Sequence, residues 1–400
     1  MASGTSSLDF NPSLSAKPAA LSGDTATTAA IPWYLWCAVG AVTSALIGGY
    51  WDVSWHRSIG RDTFWTPAHL AIYLCGVLAG ISCGYLILYT TFRKPPTLMA
   101  ASVQIFGFKA PIGAFIAAWG GIAMLTAGPF DDWWHNAYGL DVKIVSPPHT
   151  LLILGSFMVK LGTLLLTVGL MNRAAGSASR KLQCLLLYVG GLMLSQQLFF
   201  LTEYTWDVKL HQALAYESMA IGVPALLAAL WYASRNRWAS TWLGLIYSVL
   251  LLGLILIVPI FPAQPKLGPV FQPVTQFIPP KFPILLLAPA VALDLLWRIT
   301  EKRSPWLIAL LSGPLFVLAL VAVEWPFASF LMSKAAENRF FATGFHDYGS
   351  PPWSYDVQRR FLAPSYGFAL WKGLLWAMLF AAISTRIGIA FGKWMKEVRR

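Results

Sequence analysis

Ten apolar runs decide what this chain can fold into. They lie at about residues 32–50, 67–90, 110–128, 148–171, 182–202, 213–233, 239–262, 283–299, 305–331 and 365–390. A membrane-crossing α-helix needs about 20 such residues to span about 30 Å of hydrocarbon. Every backbone polar group must be satisfied within the segment there, which selects helices for runs of this length. The predicted fold is all-α: a polytopic transmembrane bundle of about ten helices, with the 283–299 run the shortest. Composition agrees, since 57% of residues are hydrophobic and 12% charged, about half the charge of a soluble domain. The 19 tryptophans suit anchors at both membrane interfaces.

The net charge of +12 is spread over short hydrophilic loops. It reads as an orientation signal and as contact with anionic lipid, and argues against nucleic acid as a partner. With the N-terminus in the cytoplasm, the even-numbered connections carry Arg93, Lys94, Arg173, Arg180, Lys181, Arg235, Arg237, Arg298, Lys302 and Arg303, and the basic C-terminus joins them. That is the positive-inside arrangement, so both termini are expected in the cytoplasm. Residues 1–30 are rich in Ala, Ser and Thr and read as a disordered cytoplasmic tail. They lack the basic region and short apolar core of a cleaved signal peptide, so the first apolar run is expected to act as an uncleaved anchor. The 4 cysteines, Cys37, Cys75, Cys83 and Cys184, lie in apolar runs without a CxxC pair, which predicts neither a disulfide framework nor a thiolate metal site.

Against this apolar background one pattern occurs twice. Asp52, His56 and His69 recur at nearly the same spacing as Asp131, His135 and His149, and these hold four of the chain's 6 histidines. Each copy begins near the end of one helix with Asp-x3-His, which puts the two side chains on one helix face. A short loop follows, and a second helix enters with Pro and His in its first turn, where Pro67 and Pro148 are well suited. This predicts a parallel two-helix repeat, with both constellations on the non-cytoplasmic side. A weaker third copy runs from Trp206 and Asp207 to His211. No histidine opens the next helix, so it reads as a degenerate, structural repeat.

Two imidazoles and a carboxylate make a three-ligand metal site with open coordination positions. Ligand type alone admits copper, zinc or iron(II). Asp62, Thr63, Thr66, Arg57 and Arg61 are candidate outer partners that would orient the ligands; Asp132 adjoins Asp131, so either could be the second carboxylate ligand, and spacing favours Asp131. Trp51, Trp55, Trp65, Trp133 and Trp134 serve either as walls of the sites or as part of the interfacial belt. His346 reads as a loop histidine, with capping of the sites as the alternative. Lys160 falls in the middle of the fourth run, where an ionisable group is a functional signal by default; pairing with Glu217 or Glu203 is the simpler expectation. Asp294 and Arg298, four residues apart, are expected to form a salt bridge.

The stretch SWHRSIGRDTFWTPAHL, residues 54–70, resembles the C subunit of particulate methane and ammonia monooxygenases, the copper membrane monooxygenase family. That family's motif has Asp-x3-His followed by RDT-x2-TP-x-H, and its three ligands correspond to Asp52, His56 and His69. Its second membrane site uses Asn-x3-His and a further histidine, corresponding to Asp131, His135 and His149. Here Asp131 stands at the Asn position, which adds negative charge and favours a harder or more oxidised ion. The resemblance spans roughly residues 30–175. It divides the chain into the tail, a C-subunit-like metal-binding membrane region at 31–175, and an additional six-helix membrane region at 176–400. It implies copper at both sites, with Asp52, His56 and His69 catalytic, and oxygen-dependent hydroxylation of a small substrate. It also implies A- and B-type monooxygenase subunits as partners, an oligomer, and the inner (cytoplasmic) membrane. The residues alone leave two other readings open: a metal transport or handling protein, and a non-catalytic scaffold with a structural metal.

Overall fold

The computed structural model describes residues 30–60, 62–139, 146–205, 211–266, 274–346 and 365–399, the side chains of 203–205 excepted. Among these residues are ten helices of 14 residues or more. They are α1 (Trp33–Ser58), α2 (Pro67–Arg93), α3 (Ile112–Tyr138), α4 (Pro147–Met171) and α5 (Gly176–Phe199). The second five are α6 (Ala213–Ser234), α7 (Ala239–Ile257), α8 (Leu287–Thr300), α9 (Pro305–Leu331) and α10 (Gly367–Glu397). The one sheet in the described residues is a hairpin of β1 (Val103–Ile105) and β2 (Phe108–Ala110). Its two turn residues, Phe106 and Gly107, have φ of 49° and 85°, as a two-residue hairpin turn of the right twist requires.

The helix starts follow local chemistry. Pro67, Pro147 and Pro305 occupy first-turn positions, where the missing N–H costs nothing. The Ser146 and Ser304 hydroxyls accept from the amides of His149 and Leu307, satisfying donors the helix leaves open.

Eight helices, α2–α7, α9 and α10, are long and apolar enough to cross a membrane. The chain is a multi-pass, membrane-type helical bundle. Two of the ten expected spans differ. α1 has 26 residues, but its Trp, Tyr, Gly and Ser content dilutes its apolar character. α8 has only 14 residues, too few for a span. Pro279, Pro280 and Pro283 keep the preceding stretch extended. That stretch is buried all the same, and its polar groups find partners. The Ile284 amide donates to Tyr247 Oη, the Leu285 amide to Glu324 Oε2, and Lys281 Nζ to the Thr202 carbonyl oxygen. Thr202 belongs to a π-helical turn, Phe200–Thr205, that continues α5.

Small residues let the helices that carry the repeat approach closely. A Cβ placed on Gly113 would lie 2.5 Å from the Gly162 carbonyl oxygen, and one on Gly120 would lie 2.6 Å from that of Gly155. These contacts weld α3 to α4. Gly76 and Gly121 do the same for α2 and α3, each 3.0 Å or less from the other's carbonyl oxygen by the same measure. Between helices in lipid, where the hydrophobic effect offers little, such backbone approach is a principal source of packing energy. The two halves of the repeat therefore form one block.

The C-terminal region packs onto this block. Ile278 N donates to Ser58 Oγ, and Lys266 N donates to the Ile59 carbonyl oxygen. Trp51, Trp55 and Ile59 pack on Val258, Ala263 and Phe277. The 274–286 stretch thus covers the end of α1.

Candidate metal centre

The end of α1, the start of α2 and the loop between them build the first donor set. Asp52 and His56 share one face of α1, with His56 Nε2 3.8 Å from Asp52 Oδ2. His69, in the first turn of α2, brings Nε2 to 3.3 Å from Asp52 Oδ1. A fourth donor comes from the loop. Thr63 N donates to Thr66 Oγ1 at 2.8 Å while Thr66 N donates back to the Thr63 carbonyl oxygen at 3.0 Å. This reciprocal turn folds Asp62 inward between the imidazoles, 3.3 Å from His56 Nε2 and 2.6 Å from His69 Nε2. Burial works to raise the Asp62 carboxyl, but hydrogen bonds from His56 and His69 outweigh it and hold the group far below the ordinary carboxylate range.

Asp62 was expected only as an outer partner. Its position makes it a donor equal to Asp52, and Asp52, Asp62 and His69 form a group able to hold a metal ion. His56 joins through both carboxylates and is half exposed.

The second donor set has the repeated construction without the extra carboxylate. His135 Nε2 lies 3.5 Å from Asp131 Oδ2, and His149 Nε2 lies 3.6 Å from Asp131 Oδ1. His135 Nδ1 donates to the Gly139 carbonyl oxygen at 3.0 Å, which orients the ring so that Nε2 faces the Asp131 carboxylate. His149 Nδ1 shares a 2.9 Å hydrogen bond with Ser146 Oγ. Asp132 turns aside and accepts from the Asn136 amide, so Asp131 is the carboxylate at this set.

Among the described residues, Asp52, Asp62 and His69 of the first set gather closely enough to fit a metal ion. Four ligand atoms at about 2.1 Å in a tetrahedral arrangement sit about 3.4 Å from one another. The separations of 3.3, 3.3 and 3.8 Å in the first set lie near that value; in the second, Asp131 is 3.5 and 3.6 Å from the two imidazoles, but the His135 and His149 ring centroids stand 6.3 Å apart, so its donors are more widely spread. The 2.6 Å His69–Asp62 approach is a direct hydrogen bond, tighter than a ligand edge.

Residues of both sets line two cavities. A polar vestibule of about 70 Å³ is lined by Asp62, Thr63, His69, Asp131, Asp132 and His135, among others. A larger chamber of about 110 Å³ touches Asp52, His69, Asp131 and His149 at one end and Lys160, Ser156 and Gln196 at the other. His69, Tyr73, Gly128 and Asp131 line both. Tyr73, one helical turn beyond His69, fits because position 128 is glycine; a Cβ there would lie 3.0 Å from the Tyr73 ring.

The remaining expected residues fall elsewhere. Trp51 and Trp55 pack on the C-terminal region, while Trp65 and Trp133 are exposed, as belt residues would be. Neither they nor Trp134 lines the chamber, whose aromatic walls are Tyr73, Phe199 and Phe200. Arg61 and Asp207 lie outside the described residues. His211 is buried, with Nε2 3.0 Å from Ser329 Oγ and its ring edge-on to Trp325, which is a structural setting. His346 is buried. Burial, then the charges of Arg57 and Lys281, hold its imidazole well below the ordinary value.

The expected Asp294–Arg298 ion pair does not form, and of the two carboxylates expected for Lys160 only Glu217 is described. Lys160 donates to Ser156 Oγ at 2.7 Å; it makes no ion pair with Glu217, and the Glu203 side chain is not described. Asp294 accepts from Ser240 N, Thr241 N and Thr241 Oγ1 at the start of α7, while Arg298 stacks on Trp238 with its guanidinium 3.6 Å from the ring centroid. Capping two buried amides outweighs a salt bridge in a buried carboxylate's choice of partner.

No protein-family model, curated protein or solved structure matches the chain.

Proposed function

We propose that this membrane protein binds copper at two sites and supports oxygen-dependent hydroxylation of a small substrate, as a protein similar to the C subunit of copper membrane monooxygenases. One observation carries the reading: residues of both Asp/His sets line the same two cavities, a polar one and a larger one whose walls are mostly apolar. A structural metal does not need a chamber beside it; a reacting substrate does.

In this reading Asp52, His56, Asp62 and His69 hold the first ion, and Asp131, His135 and His149 the second. Copper held there supplies redox chemistry and open coordination positions for dioxygen. The carboxylates balance the ions' charge, and Gly139 and Ser146 fix the orientation of the two imidazoles they contact. Ala45, Leu46, Ile72, Leu152 and Phe199 keep the chamber dry, and its 110 Å³ restricts the substrate to a few heavy atoms. Tyr73 stands between vestibule and chamber, so its hydroxyl is placed to hold a proton where the two meet. A- and B-type subunits would complete an oligomer of this family's kind, in a membrane where the donor sets face away from the cytoplasm.

The test is oxygen consumption by the membrane-embedded protein with a reductant and a small substrate. Consumption that depends on His69 and His135 supports the reading; consumption indifferent to both replacements contradicts it. Metal capture and transport is the second reading, favoured by the half-exposed His56, which an incoming ion can reach from outside. Metal uptake into vesicles without oxygen consumption would select it.

A further inference from the structure

The chamber has a second polar end, away from the donor sets. Lys160 is 1% exposed and sits about 17–20 Å along α4 from either helix end. That is further than a lysine side chain reaches, so its ammonium cannot escape to an interface. Its Nζ donates to Ser156 Oγ, one turn earlier, and Ser156 Oγ donates in turn to Gln196 Oε1. Nζ has one acceptor for three N–H groups, and the ammonium makes no ion pair among the described residues. Unpaired charge in hydrocarbon is costly and marks function by default. All three of these polar residues line the chamber.

We infer that this chamber is a binding site for a small monoanion, held at its inner end by Lys160. The walls between the two polar ends are apolar, including Ala45, Leu46, Met124, Leu152 and Ile153, so the field of the ammonium is little screened there. The free donors select a ligand that accepts hydrogen bonds, and the charge selects an anion over a neutral molecule of the same shape. Ser156 is positioning: its hydroxyl takes one N–H of Lys160 and so fixes where the others point. Volume sets the upper size. A cavity of about 150 Å³ holds benzene, so 110 Å³ admits a molecule of about three to five heavy atoms, and no fatty-acid chain. The site does not require an ion at the donor sets, so it stands or falls apart from the copper reading.

Formate is a suitable probe, with formamide as its neutral analogue and benzoate as an oversized anion. The experiment follows the thermal unfolding midpoint of the full-length, detergent-solubilised protein against sodium formate at constant ionic strength. Wild type, His56→Ala/His135→Ala, Lys160→Met and Ser156→Ala are compared. A saturable rise is expected in wild type and in the double histidine variant. Formamide and benzoate should give none, Lys160→Met should abolish it, and Ser156→Ala should weaken it about 3- to 10-fold. No saturable effect in wild type, an equal effect with formamide, or an effect that survives in Lys160→Met overturns the inference. Loss of the effect in the histidine variant alone also overturns it, by locating the anion at the donor sets. If Lys160→Met does not fold, Ser156→Ala decides: unchanged formate affinity there overturns the inference.

Discussion

Gly120→Ala should damage the second donor set from three helical turns away. The added Cβ would lie 2.6 Å from the Gly155 carbonyl oxygen, 2.7 Å from Val159 N and 2.9 Å from Met158 Cβ, while ordinary contact begins near 3.4 Å. Two of these obstacles are backbone atoms and cannot rotate away, so α3 and α4 must separate by about 0.8 Å at this point. Overpacking of this kind costs about 1–3 kcal/mol, set against up to about 1 kcal/mol gained in helix propensity. The separation also exceeds the roughly 0.5 Å to which a binding constellation must be held. α3 carries Asp131 and His135 and α4 carries His149, so the donors move apart. Second-site metal affinity should fall about 10- to 100-fold, the range seen when supporting contacts of a metal site are lost. The first set, built on α1, α2 and their loop, should change much less. Metal titration with thermal unfolding reads both effects. Gly84→Ala is the control, because nothing lies within 4 Å of a Cβ there. Wild-type stability and wild-type binding at both sites in Gly120→Ala would refute the packing argument.

Other expectations follow from single contacts. Asp62→Asn should weaken first-site metal binding at least as much as Asp52→Asn in the same titration, because Asp62 lies closer than Asp52 to both imidazoles. Asp294→Ala leaves two amides and a hydroxyl at the start of α7 without their acceptor and should cost about 3 kcal/mol, measured by denaturant unfolding. His346 stays neutral when folded, whereas the unfolded chain takes up its proton near pH 6.5. The unfolded state then binds more protons, so stability should fall as pH drops below about 6.5, by at most about 1.4 kcal/mol per pH unit. His346→Gln should flatten that slope.

The helices were legible because apolar run length is a direct consequence of bilayer thickness. α8 was overestimated because hydrophobicity was read without the backbone: Pro279, Pro280 and Pro283 permit burial but forbid helix. The grouping of the six repeat residues around Asp52 and Asp131 was legible from spacing, since helix periodicity fixes which residues share a face. Asp62 was missed as a donor because a loop has no period; the reciprocal turn of Thr63 and Thr66 was the available signal. Tyr73 was within reach, four residues after His69 and therefore on its face. Ser156 was equally within reach, four residues before Lys160, and a local hydroxyl proved nearer than a distant carboxylate. Asp294 shows the opposite limit, since a tertiary contact with α7 overrode the i,i+4 expectation. That residues of both sets line the same cavities depends on how α2 meets α3, which spacing along the chain does not encode. Gly76, Gly113, Gly120, Gly121, Gly155 and Gly162 hinted only that the helices meet closely.

The most direct test of the central claim is metal content of the detergent-purified protein, wild type beside His56→Ala and His135→Ala. Two independent copper sites predict copper near two per chain, falling by about one in each variant. Zinc or iron in that stoichiometry would contradict the copper assignment while keeping the sites, and no stoichiometric metal in any sample would contradict the metal centre itself.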